Sequence, residues 1–185
     1  MDEKAINHGV TLILKGLLGP EWSSDPNYED TPRRVTAFYK EMFSRHNYTI
    51  TTFPGENQQM IILSHLIAWT LCPHHLLPVE LDLSLAYIPN GQVVGVSKLA
   101  RLVMNHFTEP TLQEDLTDSV ADELMSKLVP APKGAAVLVY GRHDCMRIRG
   151  IKSNSTIITS AMRGVFLEKA DVKEEFLSLV RREKI

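Results

Sequence analysis

Two short segments of this sequence carry side chains that bind transition metals. Cys72 and His75 stand three residues apart, and His143 and Cys145 stand two residues apart much later in the chain. Zinc favours thiolate and imidazole ligands in a tetrahedron. A Cys-x-x-His turn can place both ligands on one ion, and on a strand the side chains of His143 and Cys145 would point to the same face. Three such ligands would leave a fourth position for a water molecule, whose pKa zinc lowers toward neutrality.

Other interpretations of these residues remain open at this point. The two cysteines are the only ones in the chain, and they could be buried, inert thiols. Four protein ligands would make a structural zinc site rather than a catalytic one. A zinc deaminase is not supported, because its His-x-Glu and Pro-Cys-x-x-Cys signatures are missing from the sequence.

A second group of residues has the chemistry of a phosphate site. Ser97 stands where a helix is predicted to begin, and the free N–H groups at a helix N-terminus favour anions. Lys98 and Arg101 are three residues apart and share one face of that helix. Arg149 and Lys152 add positive charge just after Cys145. The alternative is that these are ordinary solvated surface residues.

The overall composition is that of an ordinary globular domain. The chain has 185 residues, of which 44% are hydrophobic and 23% charged, with a formal net charge of −2. This charge does not indicate a nucleic acid or an anionic membrane as a partner. No apolar run is long enough to span a bilayer, and the charged start is unlike a secretory signal, so we expect a cytoplasmic, reducing location where cysteines more often serve metals or catalysis.

Hydrophobic periodicity predicts helices and strands in separate blocks. Apolar residues at helical spacing predict helices over residues 6–17, 97–107, 116–128 and 173–182, and Thr31-Pro32 reads as the N-cap and first residue of another. Strands are predicted over residues 60–71, 81–87, 92–96, 135–140, 146–151 and 156–160. The segment at 92–96 follows a Pro89-Asn90-Gly91 turn and is expected to return as a hairpin partner. The class is therefore α+β, with a mostly antiparallel sheet.

An ordered set of motifs resembles the zinc-dependent GTP cyclohydrolase I family. The matching segments lie at residues 30–35, 72–78, 86–89, 95–101, 112–114, 116–117, 143–146, 149–150 and 159–161. Each motif alone is modest, but their number and order are specific. The resemblance implies a tunnelling fold, in which helices pack on one side of an antiparallel sheet and further helices precede it. It also implies an N-terminal helical segment at residues 1–29 and a catalytic domain at residues 30–185.

The resemblance implies a role for each candidate residue. Cys72, His75 and Cys145 would be the zinc ligands, and His74 and His143 would be the catalytic histidines that transfer protons. Gln113 and Glu114 would bind the guanine edge. The triphosphate would be held by Ser97, Lys98, Arg101 and Arg149. The implied partners are GTP and water as substrates, together with identical subunits in a homodecamer whose active sites lie at subunit interfaces.

The implied reaction opens the imidazole ring of GTP at C8, releases formate and rearranges the ribose to give 7,8-dihydroneopterin triphosphate. Folate, tetrahydrobiopterin and deazaguanine synthesis all begin with this step. Pro73 and Asp115 depart from the family pattern, as does the segment at residues 79–81 after Leu77-Pro78. Three alternatives follow: an enzyme that stops after ring opening, a non-catalytic GTP-binding protein with a structural zinc, and a nucleic-acid-binding zinc protein, which the charge disfavours.

Overall fold

The structure is a computed structural model that describes residues 1–44 and 48–181. Its internal contacts divide the chain into two compact units, and the first ends at Ser44. This division does not test the predicted boundary between an N-terminal segment ending at residue 29 and a catalytic domain, which stays a prediction. His46, to which we assign no function, and Arg182, the last residue of the predicted C-terminal helix, lie outside the described residues. None of the helices in the described ranges is long and apolar enough to cross a membrane.

The first unit is a pair of helices. α1 spans Glu3–Leu18, and the carboxylate of Asp2 caps it by accepting a hydrogen bond from the backbone N–H of Ala5. α2 spans Thr31–Met42 and carries a proline in its first turn, where the missing N–H costs nothing. The cap residue is Asp30 rather than the predicted Thr31. Both predicted helices are confirmed.

The second unit is built on a four-stranded antiparallel sheet. Its strands are β2 (Ile61–Leu71), β3 (Pro78–Ile88), β5 (Gly134–His143) and β6 (Ile157–Gly164), in the order β2-β3-β5-β6. The helices are α3 (Val96–Met104), α4 (Gln113–Lys127), α5 (Asp144–Arg147), α6 (Val165–Glu168) and α7 (Ala170–Leu179). The predicted α+β class with an antiparallel sheet is confirmed.

The central strand β3 shows why the sheet has a buried face. Leu81, Leu83 and Leu85 alternate along it and are fully buried, because successive side chains on a strand point to opposite faces. They form the main core with the apolar sides of α3 and α4. The opposite face carries a smaller cluster in which Phe166 and Phe176 from α6 and α7 pack over Ala136. This second layer was not part of the sequence-based prediction.

The predicted hairpin return after Asn90 is wrong in its pairing. Residues Gln92–Val94 form a strand, β4, but its partner is β1 (Thr52–Pro54) in a separate two-stranded sheet. Strand β3 pairs with β2 on one side and with β5 on the other, so β4 is not its partner. The backbone N–H of Val94 donates to the Tyr87 hydroxyl at 2.8 Å. The contact of β4 with β3 is therefore made through a side chain and not through backbone pairing.

Two further predictions around the site are corrected. Ser97 does not cap α3, because the helix begins at Val96 with Gly95 in the cap position. The segment at 146–151 is not a strand. It contains the end of α5, where the N–H of Ile148 donates to the Asp144 carbonyl, followed by a turn in which Gly150 takes a positive φ of 59°.

Candidate active site and family

The connection between β2 and β3 forms the first half of the candidate metal site. Cys72 follows the last residue of β2, and its N–H donates to the Leu77 carbonyl at 2.9 Å. The Cys72 carbonyl in turn accepts from the N–H of Leu76 at 2.8 Å, and Leu76 adopts a positive φ of 52°. This tight turn holds Cys72 buried and leaves His74 and His75 exposed at the end of the sheet.

Cys145 reaches the same place from β5. That strand ends at His143, whose partner in the sheet is Val79 near the start of β3. The chain then enters α5, so Cys145 lies on a short helix and does not share a strand with His143. The metal-ligating atoms of Cys72, His75 and Cys145 all lie within 4.8 Å of one another. The structure thus brings together all three predicted metal ligands.

The spacing of these donor atoms fits a zinc ion. With bond lengths of about 2.3 Å to sulfur and about 2.0 Å to nitrogen, a tetrahedral site separates two sulfurs by about 3.8 Å and a sulfur and a nitrogen by about 3.5 Å. The Cys72 Sγ and His75 Nδ1 atoms are 3.7 Å apart. Two thiols and an imidazole form a donor set that suits zinc, and the remaining separations need only a modest contraction.

The surroundings of Cys145 in this cluster affect its thiol. Burial, together with the neighbouring Cys72 sulfur, raises the pKa of the Cys145 thiol, and the Arg149 guanidinium partly opposes this. Arg149 Nη1 also donates to His75 Nε2 at 2.5 Å. A metal on His75 Nδ1 requires the ring proton on Nε2, so metal binding would turn Arg149 away from His75.

His74 is a second histidine beside the same cysteine. Its Nδ1 atom lies 3.8 Å from Cys72 Sγ, almost as close as that of His75. The group whose three donor atoms converge, however, contains His75 and Cys145 and not His74. The exposed His74 ring therefore lies beside the converging group and is not part of it.

His143 occupies a more buried position. Its Nε2 atom lies 2.9 Å from the side-chain oxygen of Gln113, the first residue of α4. Burial lowers the pKa of His143, while the Glu114 carboxylate raises it in part. A mainly neutral imidazole near neutral pH can accept or donate a proton, as general acid–base chemistry requires.

Gln113 and Glu114 have different surroundings although they are adjacent. Glu114 is exposed, and its predicted contact with the guanine edge stays a prediction. Gln113 is only 3% exposed, and its amide nitrogen lies within 3.2 Å of the Val139 and Ile157 carbonyls. These contacts give no support to the prediction that the Gln113 side chain binds the guanine edge.

The predicted phosphate residues on α3 lie far from the metal ligands within one chain. Val94, just before α3, is bonded to Tyr87, whereas the metal site adjoins Val79 at the other end of β3. Eight residues at about 3.3 Å each separate Val79 from Tyr87 by about 26 Å. Ser97 and Lys98, in the first turn of α3, are therefore remote from Cys72, and Arg101 is one turn further along the helix. Arg149, in contrast, contacts His75, one of the candidate metal ligands.

Gly141 is a site residue that the sequence analysis missed. A Cβ atom at this position would lie 1.9 Å from Gln113 Oε1 and 3.0 Å from His143 Nε2. The absence of a side chain therefore makes room for the contact between Gln113 and His143. Gly141 directly follows the strand predicted at 135–140, and a glycine at such a position is the signal that could have indicated a close approach.

Comparison with known proteins identifies relatives along almost the whole chain. The sequence profile described as GTP cyclohydrolase I matches residues 8–181. The GTP cyclohydrolase 1 of Aquifex aeolicus is 36% identical, with 98% of each chain covered. That of Campylobacter concisus is 40% identical over 96% of this chain and 93% of its own, and that of Brevibacillus brevis is 38% identical over 98% of both. The chain therefore belongs to the GTP cyclohydrolase I family.

Proposed function

We propose that this chain catalyses the zinc-dependent hydrolytic opening of the GTP imidazole ring at C8, with release of formate and rearrangement of the ribose to give 7,8-dihydroneopterin triphosphate. The observation that carries the proposal is the convergence of Cys72, His75 and Cys145 at one end of the sheet, in a chain of this family. His74 and His143 flank the same end.

The zinc ion would be held by Cys72, His75 and Cys145. When bound, zinc polarises a water molecule so that it can act as a nucleophile near neutral pH. The three donors lie in the turn that follows β2 and in the short helix that follows β5, and the hydrogen bonds of Leu76 and Leu77 limit how far Cys72 can move. This rigidity favours a defined position for the fourth ligand.

The two histidines would handle the protons of the purine ring. Ring opening requires a proton at an imidazole nitrogen of the substrate, and a histidine has a pKa suited to deliver it. His74 is exposed beside the metal ligands, and His143 is half-buried with its Nε2 atom held by Gln113. We assign proton transfer to both of them.

The nucleotide would be bound by groups from more than one subunit. Glu114 would accept hydrogen bonds from the guanine N–H groups, and Arg149 would hold a phosphate beside the metal. Ser97, Lys98 and Arg101 would bind the rest of the triphosphate, but α3 follows Val94, which contacts Tyr87 at the end of β3 opposite the metal ligands. An interfacial site in a homodecamer resolves this separation. The outer strands β2 and β6 each have a free edge within the four-stranded sheet, which supports such an assembly.

The primary test is to incubate zinc-loaded protein with GTP and to measure formate and the fluorescence of oxidised pterin together. We expect both products, and we expect both to disappear when a chelator removes the metal. Formate without a pterin would mean that the enzyme stops after ring opening and hydrolysis. The absence of both products from protein with bound zinc would contradict the proposal and favour a GTP-binding protein.

The proposal that each active site combines residues from two subunits has its own test. Cys145→Ala and Lys98→Ala should each be inactive as pure proteins, because each lacks one half of every site. After dissociation and joint reassembly in equal amounts, about a quarter of the sites would combine an intact metal half with an intact phosphate half from the neighbour. Recovery of activity to about that fraction is expected. A mixture as inactive as the pure variants would contradict a site shared between subunits.

We also propose a cytoplasmic location and the start of a pterin or deazaguanine pathway as the setting of this reaction. Neither a nucleic acid nor a membrane is proposed as a partner, in keeping with the net charge of −2. Pro73 and Asp115 lie beside the site and bear on substrate affinity rather than on the metal ligands.

A further inference from the structure

Gln113 is a buried polar residue whose hydrogen bonds define its orientation. Its amide nitrogen lies 3.2 Å from the Val139 carbonyl, 3.2 Å from the Ile157 carbonyl and 3.0 Å from Thr159 Oγ1. Backbone carbonyls can only accept hydrogen bonds, so the NH₂ group must be the side of the amide that faces them. The carbonyl oxygen of Gln113 is thereby turned toward His143.

This orientation decides which nitrogen of His143 carries a proton. The Gln113 Oε1 atom lies 2.9 Å from His143 Nε2 and can only accept. His143 must therefore donate from Nε2, and in the neutral ring the lone pair is left on Nδ1. The tautomer of a histidine is set in this way by the hydrogen bond that its other nitrogen makes.

Surrounding residues hold Gln113 in this position. The Thr117 hydroxyl donates to the Gln113 backbone carbonyl at 2.6 Å and lies 2.6 Å from the Thr159 hydroxyl. Gly141 leaves open the space that the Gln113 oxygen occupies, since a Cβ atom there would meet that oxygen at 1.9 Å. The contact with His143 thus depends on a side chain fixed from α4 and on a missing side chain on β5.

We propose that Gln113 is a positioning residue that holds His143 as the Nε2-protonated tautomer and so presents Nδ1 as the atom that exchanges a proton with the substrate. The inference about the tautomer stands on the structure alone, whereas its consequence for turnover rests on the proposed function. It differs from the role expected by resemblance, in which Gln113 contacts the guanine itself.

The test uses two variants that disturb the contact in different ways. Gln113→Met keeps a side chain of similar length but removes both the donor and the acceptor. Gly141→Ala keeps Gln113 but places a Cβ atom 1.9 Å from its present oxygen position, so that oxygen must shift relative to His143. Gln59→Met makes the same substitution at an exposed loop glutamine and serves as the matched control.

The first measurement is the ring ¹⁵N chemical shifts of His143 in the zinc-loaded protein, at a pH where the ring is neutral and with His143→Asn used for assignment. The wild type and Gln59→Met should show a protonated Nε2 and an unprotonated Nδ1. Gln113→Met and Gly141→Ala should show a mixture of the two tautomers. A protonated Nδ1 in the wild type, or an unchanged tautomer in both variants, would overturn the inference.

The second measurement separates positioning from substrate binding. If Gln113 acts through His143, kcat for formate release should fall about 10- to 100-fold in both variants, while KM for GTP stays near the wild-type value. A rise in KM with an unchanged kcat would mean that Gln113 contacts the substrate instead. If the wild type releases no formate, the proposed function fails, but the NMR result still decides the tautomer.

Discussion

The choice of histidine at the metal site gives the sharpest test of the structure. Cys72 Sγ lies 3.7 Å from His75 Nδ1 and 3.8 Å from His74 Nδ1, so distance to this one cysteine does not separate the two rings. Only His75 also converges with Cys145. We therefore expect His75→Ala to lose zinc and His74→Ala to retain one zinc per chain.

The expected effect of zinc on thermal stability follows from the linkage of metal binding to folding. Free zinc at 100 times its dissociation constant stabilises the folded state by about 2.7 kcal/mol. For a chain of 150–250 residues, each kcal/mol shifts the midpoint of thermal unfolding by about 2 to 4 °C, so zinc should raise it by about 5 to 11 °C. The wild type and His74→Ala should show this shift, and His75→Ala should not.

The assay is thermal unfolding with zinc and with an excess of chelator, alongside the zinc content of each purified protein. His8→Ala, a substitution in the first unit, controls for the loss of any histidine. If His74→Ala lost both the zinc and the thermal shift while His75→Ala kept them, the assignment of the ligands from the converging donor atoms would be refuted.

Three further predictions concern turnover, the core and pH. His143→Ala should keep its zinc but release formate about 10²- to 10⁴-fold more slowly, as measured by single-turnover kinetics; an unimpaired rate would remove His143 from the mechanism. Leu83→Ala, at a fully buried position in β3, should lower the free energy of unfolding by about 2 to 5 kcal/mol in urea titrations, and a loss below 1 kcal/mol would contradict the packing described for this face. Burial and the Glu123 carboxylate raise the pKa of Tyr48, so the folded state keeps the phenol proton more tightly than the unfolded chain does. Stability from this group is present below pH 10 and should decline as pH rises above about 10, where the unfolded tyrosine ionises. Tyr48→Phe should flatten that decline in unfolding experiments across the alkaline range, and an unchanged slope would show that Tyr48 does not cause it.

Local patterns in the sequence were sufficient for most of the helices and strands. The alternation of Leu81, Leu83 and Leu85 predicts a strand with one buried face, because side chains on a strand repeat every two residues. The spacing of Cys72 and His75 predicts a shared metal ion, because one turn of the chain brings both within reach of it. The resemblance of ordered motifs extended these local signals to the whole family and named each candidate ligand.

Other features depend on contacts between distant segments, which no local pattern encodes. The short β4 strand carries the same signal whether it pairs with β3 or with β1, so its partner is decided by tertiary packing. Residues after Cys145 looked like a strand by composition, but the structure folds them into a short helix and a turn. Likewise, Gln113 has the residue type of a ligand-binding group, and only the folded structure shows its amide engaged by backbone carbonyls.

The sequence by itself therefore determined which residue types are available for the proposed chemistry and, through periodicity, most of the elements that hold them. The tertiary structure decided which of these residues meet: pairing of β3 with β5 brings Cys145 to Cys72 and His75, and packing of α4 on the sheet brings Gln113 to His143. It also placed Ser97 and Lys98 at the opposite end of β3 from the metal ligands. The physical reason is that helix and strand periodicity arises from neighbouring residues, whereas the meeting of distant side chains depends on strand pairing and core packing across the whole sheet.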